Sequence, residues 1–155
     1  MSPSKHETVV IERKFKHDIE KVFAALKDPR ARESWSPPSK EVTLIFDTSE
    51  FKVGGRDVSR CLAGGEEQAQ VEGRYLDIVE PGGDFARIIY SETVAAGDMR
   101  LFTSLVTLEL TPTGAGSSLA LTVQIASLID PSVIDEARSA WELAATNLEK
   151  YLAAA

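Results

Sequence analysis

Cysteine and histidine most often carry nucleophilic or metal chemistry, and this chain has one of the first and two of the second. Cys61, in Ser59-Arg60-Cys61-Leu62, has neither a histidine nor a helix start beside it, and a thiol needs such help to ionise near neutral pH. It reads as a small strand residue. His6 and His17 are too far apart for a helical HxxxH pair, and with no CxxC motif a zinc site is not expected. No GxSxG elbow is present, and Gly114-Ala115-Gly116 leads into a strand rather than a helix, so it lacks the helix N-terminus that a phosphate loop uses. Glu66-Glu67, beside a glycine turn, reads as a solvated loop. The scarcity of histidine and cysteine favours binding over catalysis, and neither a metal nor another cofactor is expected.

Four charges fall within apolar runs, namely Arg60, Arg87, Glu92 and Arg100. A buried charge must be paired, so an inward arginine would need a carboxylate partner or an anionic ligand. Each is expected on a solvated outer face. Arg87 and Glu92 differ in parity and cannot share a face of a regular strand.

The formal charge of −7 argues against a phosphate backbone or an anionic membrane as the main partner, and basic residues do not cluster with aromatics. No run approaches the ~18–20 apolar residues of a membrane helix, and Met1-Ser2-Pro3-Ser4-Lys5-His6-Glu7 lacks the apolar core of a signal peptide. A lone cysteine suits a reducing compartment. These features point to a cytoplasmic protein with neither nucleic acid nor membrane as partner. Homodimerisation would be unsurprising in a small acidic domain. The 155 residues suffice for one domain with a sizeable core, expected over 8–153 behind a short tail at 1–7.

Turn signals recur through the middle of the chain at Gly54-Gly55, Gly64-Gly65, Pro81-Gly82-Gly83, Ala96-Gly97-Asp98 and Pro112-Thr113-Gly114-Ala115-Gly116. They separate strands predicted at Glu41–Asp47, Arg56–Leu62, Gln68–Val79, Phe85–Thr93, Met99–Leu110 and Ser118–Ala126. Such short connections make an antiparallel meander. An earlier strand is predicted over Thr8–Phe15. Two helices follow it, from Asp18 to Leu26 and from Asp28-Pro29 to near Trp35, the second opening on an aspartate able to cap its first turn and a proline suited to that turn. A final helix begins at Asp130-Pro131 and runs to about Leu152. The fold class is α+β.

Leu119, Leu121, Val123 and Ile125 give the last strand one dry face, and Val106, Leu108 and Leu110 do the same for the strand before it. The final helix covers that face with a stripe of Ile134, Ala137, Trp141, Ala144, Ala145, Leu148 and Leu152. Alanine stands where leucine would fill space. Either the helix and sheet approach more closely there, or a pocket opens with Tyr75, Tyr90, Phe102 and Trp141 as walls, Ala137 as the space-maker and Trp35 closing one end.

Taken in order, Val22-Phe23-Ala-Ala-Leu26, Asp28-Pro29 leading to Trp35, Gly54-Gly55, Gly73 in Val71–Val79, Leu105–Leu110 and Trp141 in the last helix resemble the START-like (SRPBCC) helix-grip superfamily. Within it, the branch they resemble is that of the activator of the heat-shock-protein-90 ATPase. The resemblance spans Val9 to Leu152. It implies a seven-stranded antiparallel sheet gripping the long C-terminal helix, with a cavity between them. Ala140 stands where the family often has glycine, and its extra methyl is expected either to tighten helix packing or to narrow the pocket mouth.

The function expected first is non-catalytic binding of a small, mostly hydrophobic molecule, such as a lipid. A cochaperone-like contact with a chaperone, in a stress response, is the alternative, with an acidic surface able to meet a basic partner. A polyketide cyclase- or hydrolase-like enzyme is the second alternative; it would need a cavity group of shifted pKa, and no residue identifies itself as one.

Overall fold

A computed structural model describes residues 4–154. Strand β1 (His6–Phe15) is followed by helices α1 (Ile19–Lys27) and α2 (Pro29–Trp35). Strands β2 (Thr43–Ser49), β3 (Arg56–Ala63), β4 (Glu66–Val79), β5 (Ala86–Ala96), β6 (Met99–Thr113) and β7 (Gly116–Ser127) come next, and α3 (Ser132–Ala154) ends the chain. The predicted elements are all present. β1 begins at His6, which pairs with Ala126, so the expected tail shrinks; its residues 1–3 lie outside the described part. Glu66 and Glu67 are exposed as expected, but they form the start of β4 opposite Ala63 and Leu62 rather than a loop.

The seven strands form one antiparallel sheet in the order β1-β7-β6-β5-β4-β3-β2. The six later strands are joined by hairpins, whereas β1 sits at the opposite edge from β2, so α1 and α2 carry the chain across the sheet. Local chemistry makes that crossing possible. Asp18 accepts from the Lys21 amide at 3.0 Å, and Asp28 caps α2 through the Arg30 amide at 2.9 Å. The Trp35 indole donates to the Ala25 carbonyl at 2.9 Å and ties the two helices together. Asp130 accepts from the Ser132 amide at 2.9 Å where α3 begins.

The dry face falls where the alternation places it. Val106, Leu108 and Leu110 of β6 and Leu119, Leu121, Val123 and Ile125 of β7 are buried, with Ile134, Ala137, Ala144, Ala145, Leu148 and Leu152 of α3 above them. Burying each valine, leucine or isoleucine among them stabilises a fold by about 1.5–3 kcal/mol, and each alanine by less. The pairing shifts register between Phe46 and Thr48, Cys61 and Leu62, Tyr75 and Asp77, and Val94 and Ala95, and such irregularities raise the local twist of a sheet. At Gly73 of β4 a Cβ would run into the Ser91 carbonyl of β5, so only glycine permits that approach.

Candidate functional site

Toward the N-terminal half of α3, the helix and sheet separate and leave a cavity of about 290 Å³. That volume is near the lower end of ligand pockets, yet about twice the ~150 Å³ of an engineered apolar cavity that binds benzene. Ala137, Ala140, Trp141 and Ala144 of α3 form its roof, and Trp35 stands at the side contributed by α2. Leu44 and Phe46 of β2, Val94 of β5 and Phe102 of β6 complete the apolar wall.

Five of the six residues singled out from sequence, Trp35, Tyr90, Phe102, Ala137 and Trp141, are brought together around this cavity. Tyr75 is not among the lining residues. At 1% exposure it lies behind the wall, edge-on to Tyr90 with ring centroids 5.9 Å apart and to Phe51 at 5.0 Å. Its hydroxyl accepts from Arg32 Nη1 at 3.0 Å and donates to Asp57 Oδ1 at 3.2 Å. Its part is to support the polar side of the cavity.

That polar side is the portion sequence reasoning missed. Arg32 of α2 is buried and lines the cavity, and it grips Asp57 of β3 through two parallel bonds, Nη1–Oδ1 at 3.0 Å and Nη2–Oδ2 at 2.9 Å. Its guanidinium also lies over the Phe46 ring, 4.2 Å from the centroid. Burial alone would push the Arg32 pKa down, but the charge and hydrogen bonds of Asp57 outweigh it, and the group is held above its ordinary range.

Glu92 of β5 corrects an expectation directly. Its position in an apolar run predicts the solvated face, but it is part-buried and lines the cavity. Burial raises its pKa, the charge of Arg32 pulls it back and that of Asp57 adds to the rise, leaving the carboxyl at about 7. Its cross-strand neighbour on the same face, Ser104 of β6, has a buried hydroxyl with no hydrogen-bond partner among the described residues. The other three strand charges do lie on the outer face. Arg60 pairs with Asp47 at 2.7 Å, Arg87 with Asp77 at 2.7 Å, and Arg100 is exposed. The parity argument separating Arg87 from Glu92 therefore holds.

Cys61 lines the cavity too, beside Ser59. Burial and the nearby Glu92 charge push its thiol up, the wrong direction for a thiolate nucleophile. Among the described residues no group of His, Cys, Asp and Glu is arranged to hold a metal ion, and no helix is long and apolar enough to cross a membrane. Chemically, the arrangement can hold a small apolar body while presenting to it the Glu92 carboxyl and a guanidinium bound to Asp57 through both terminal nitrogens.

The model of the activator of Hsp90 ATPase homolog 1-like proteins matches residues 16–153. Among solved structures, a protein from Rhizobium leguminosarum is similar at 26% identity over 99% of this chain and 98% of its own, with a TM-score of 0.83. A protein from Rhizobium loti has 31% identity over 94% of this chain and 99% of its own, with a TM-score of 0.73. An AHSA1-like protein from Aeromonas hydrophila, 19% identical over 96% of this chain and 93% of its own, shares the fold with a TM-score of 0.71. No functionally curated protein matches.

Proposed function

The chain belongs to the activator of Hsp90 ATPase homolog 1-like family, and from that membership and the cavity together we propose that it binds a small, mostly hydrophobic molecule between α3 and the sheet without transforming it. The observation that carries this reading is the cavity of about 290 Å³ roofed by alanines and walled by aromatics. A helix meant only to close the core would place larger groups at Ala137 and Ala144, because protein interiors leave few voids larger than a water molecule. Trp35, Tyr90, Phe102 and Trp141 form the walls, and Ala137 keeps the space open.

The reading is tested by titrating the protein with lipids, sterols and aromatic polyketides while following tryptophan fluorescence and melting temperature. A saturable change that weakens in Trp141→Ala is the expected result. A panel that moves neither observable would overturn it. Family membership also supports a cochaperone-like role, but membership alone does so, whereas the ligand reading has the cavity as well.

An enzyme reading has one specific observation in its favour. The Glu92 carboxyl at about 7 sits where a general acid–base works well. Under that reading, turnover of aromatic esters or polyketides rises or falls through pH 7 and is lost in Glu92→Gln. An activity indifferent to that substitution removes Glu92 from consideration.

A further inference from the structure

We propose that the cavity selects an apolar molecule bearing a protonated amine, and that Glu92 is the group that holds the amine. This rests on the ligand-binding reading and names its chemical class.

The groups around Glu92 come from every element that lines the cavity. From α2 comes Arg32, from β3 come Asp57 and Cys61, and from Glu92's own strand comes Tyr90. β6 contributes Leu101 and Phe102, with Ser104 buried opposite Glu92 outside the cavity lining, β2 contributes only Leu44 and Phe46, and α3 contributes Glu136 at the cavity edge. On β4 the residue opposite Glu92 is Gly73, which adds no side chain, and Gln68 is neutral. The Arg32 and Asp57 charges cancel in their two-bond pair, and both terminal nitrogens of Arg32 already donate to Asp57, with Nη1 also serving Tyr75. Among the described residues lining the cavity, Glu92 and Glu136 have no ion-pair partner, and Arg32, the cation nearest Glu92, is bound to Asp57.

A ligand carboxylate would meet like charge on entry and would find the arginine engaged. An ammonium would meet opposite charge and a hydrogen-bond acceptor in the Glu92 carboxylate that lines the cavity. The walls add to this preference, since the faces of Trp35, Tyr90 and Trp141 attract a cation while packing the apolar remainder of the molecule. The raised Glu92 pKa fits the same picture, because an arriving ammonium supplies the counter-charge that the empty cavity lacks.

The test uses three molecules that share a phenylethyl body: 2-phenylethylamine, 2-phenylethanol and 3-phenylpropanoate. Their affinities for the full chain are measured by titration calorimetry at pH 8. The amine is expected to bind about tenfold tighter than the alcohol, as a charge-assisted hydrogen bond exceeds a neutral one roughly twofold in strength, and the carboxylate is expected to bind least. Amine affinity should rise from pH 6 to pH 8 as Glu92 ionises, while the amine itself stays protonated. Glu92→Gln should lose about tenfold in amine affinity.

Alcohol or carboxylate binding as tight as the amine at pH 8 overturns the proposal and leaves the hydrophobic-ligand reading intact. So does an amine affinity that is flat between pH 6 and pH 8, a result that needs no variant to fold. Failure of all three molecules to bind counts against both readings.

Discussion

Arg32 and Asp57 bring two opposite charges out of water within the same wall, and such a pair is stable only while both partners are present. Arg32→Ala leaves an uncompensated buried carboxylate and should cost about 3–5 kcal/mol in chemical denaturation, whereas removing both charges as Arg32→Met with Asp57→Leu should recover most of that loss. Equal losses in the single and double variants would contradict this account. Glu92 behaves oppositely with pH. Its folded-state pKa of about 7 lies above the ordinary 4.5, so the folded protein holds the proton more tightly than the unfolded chain. That contribution is complete below about pH 4.5 and disappears as pH rises through 7. Glu92→Gln should therefore be more stable than the wild type above pH 7 by about 1–3 kcal/mol, with the gap closing toward pH 5. A stability difference that does not vary with pH would show that Glu92 is solvated. Arg32 and Asp57 did not announce themselves in the sequence, and Glu92 stood out only as a strand charge expected on the outer face. In β3 the inward residues are Asp57, Ser59 and Cys61 while Val58 and Leu62 fall in the other register, so apolar alternation indicates the wrong face wherever a strand lines a polar-edged cavity.

At the scale of elements, α3 does two jobs along its length. Its C-terminal half fills the core with Leu148 and Leu152, each 1% exposed, and its N-terminal half leaves room with Ala137, Ala140 and Ala144. Ala137→Leu should fill part of the cavity, changing the melting temperature by only a few degrees while abolishing the fluorescence response to an apolar ligand. Leu148→Ala should instead cost about 2–5 kcal/mol, because it removes volume where the core is closed. If Ala137→Leu retained full ligand response, the ligand would not occupy the space under α3. The elements themselves were readable because their signals are local. Gly54, Gly64, Gly65 and Gly97 adopt positive φ at the turns, Asp18 and Asp28 cap their helices, and the inner residues of β7 alternate without interruption. The register shifts were not legible, since a bulge depends on how neighbouring strands meet and leaves no local mark. Nor was the destination of Tyr75, whose polar tip meets partners from α2 and β3 that are distant in the chain.

For the whole molecule, an incomplete core couples ligand occupancy to stability. A ligand that binds only the folded state stabilises it by about 2.7 kcal/mol at a hundredfold excess over Kd. In a domain of this length, that corresponds to a rise in Tm of about 5–10 °C. The family resemblance and the order of elements together identified the sheet gripping one long helix, and they also identified the place of the cavity. They did not specify its polar edge, because that edge is assembled from α2, β3 and β5, each contributing one residue from a separate part of the chain. The central claim is that an apolar molecule enters between Trp141 and the sheet, and a titration of the isotope-labelled protein with 2-phenylethanol followed by heteronuclear NMR tests it most directly. The account predicts saturable shifts centred on the Trp35 and Trp141 indole signals and on the amides of Ala137, Glu92 and Phe102. Shifts confined to the outer face of the sheet, or none that saturate, would contradict it.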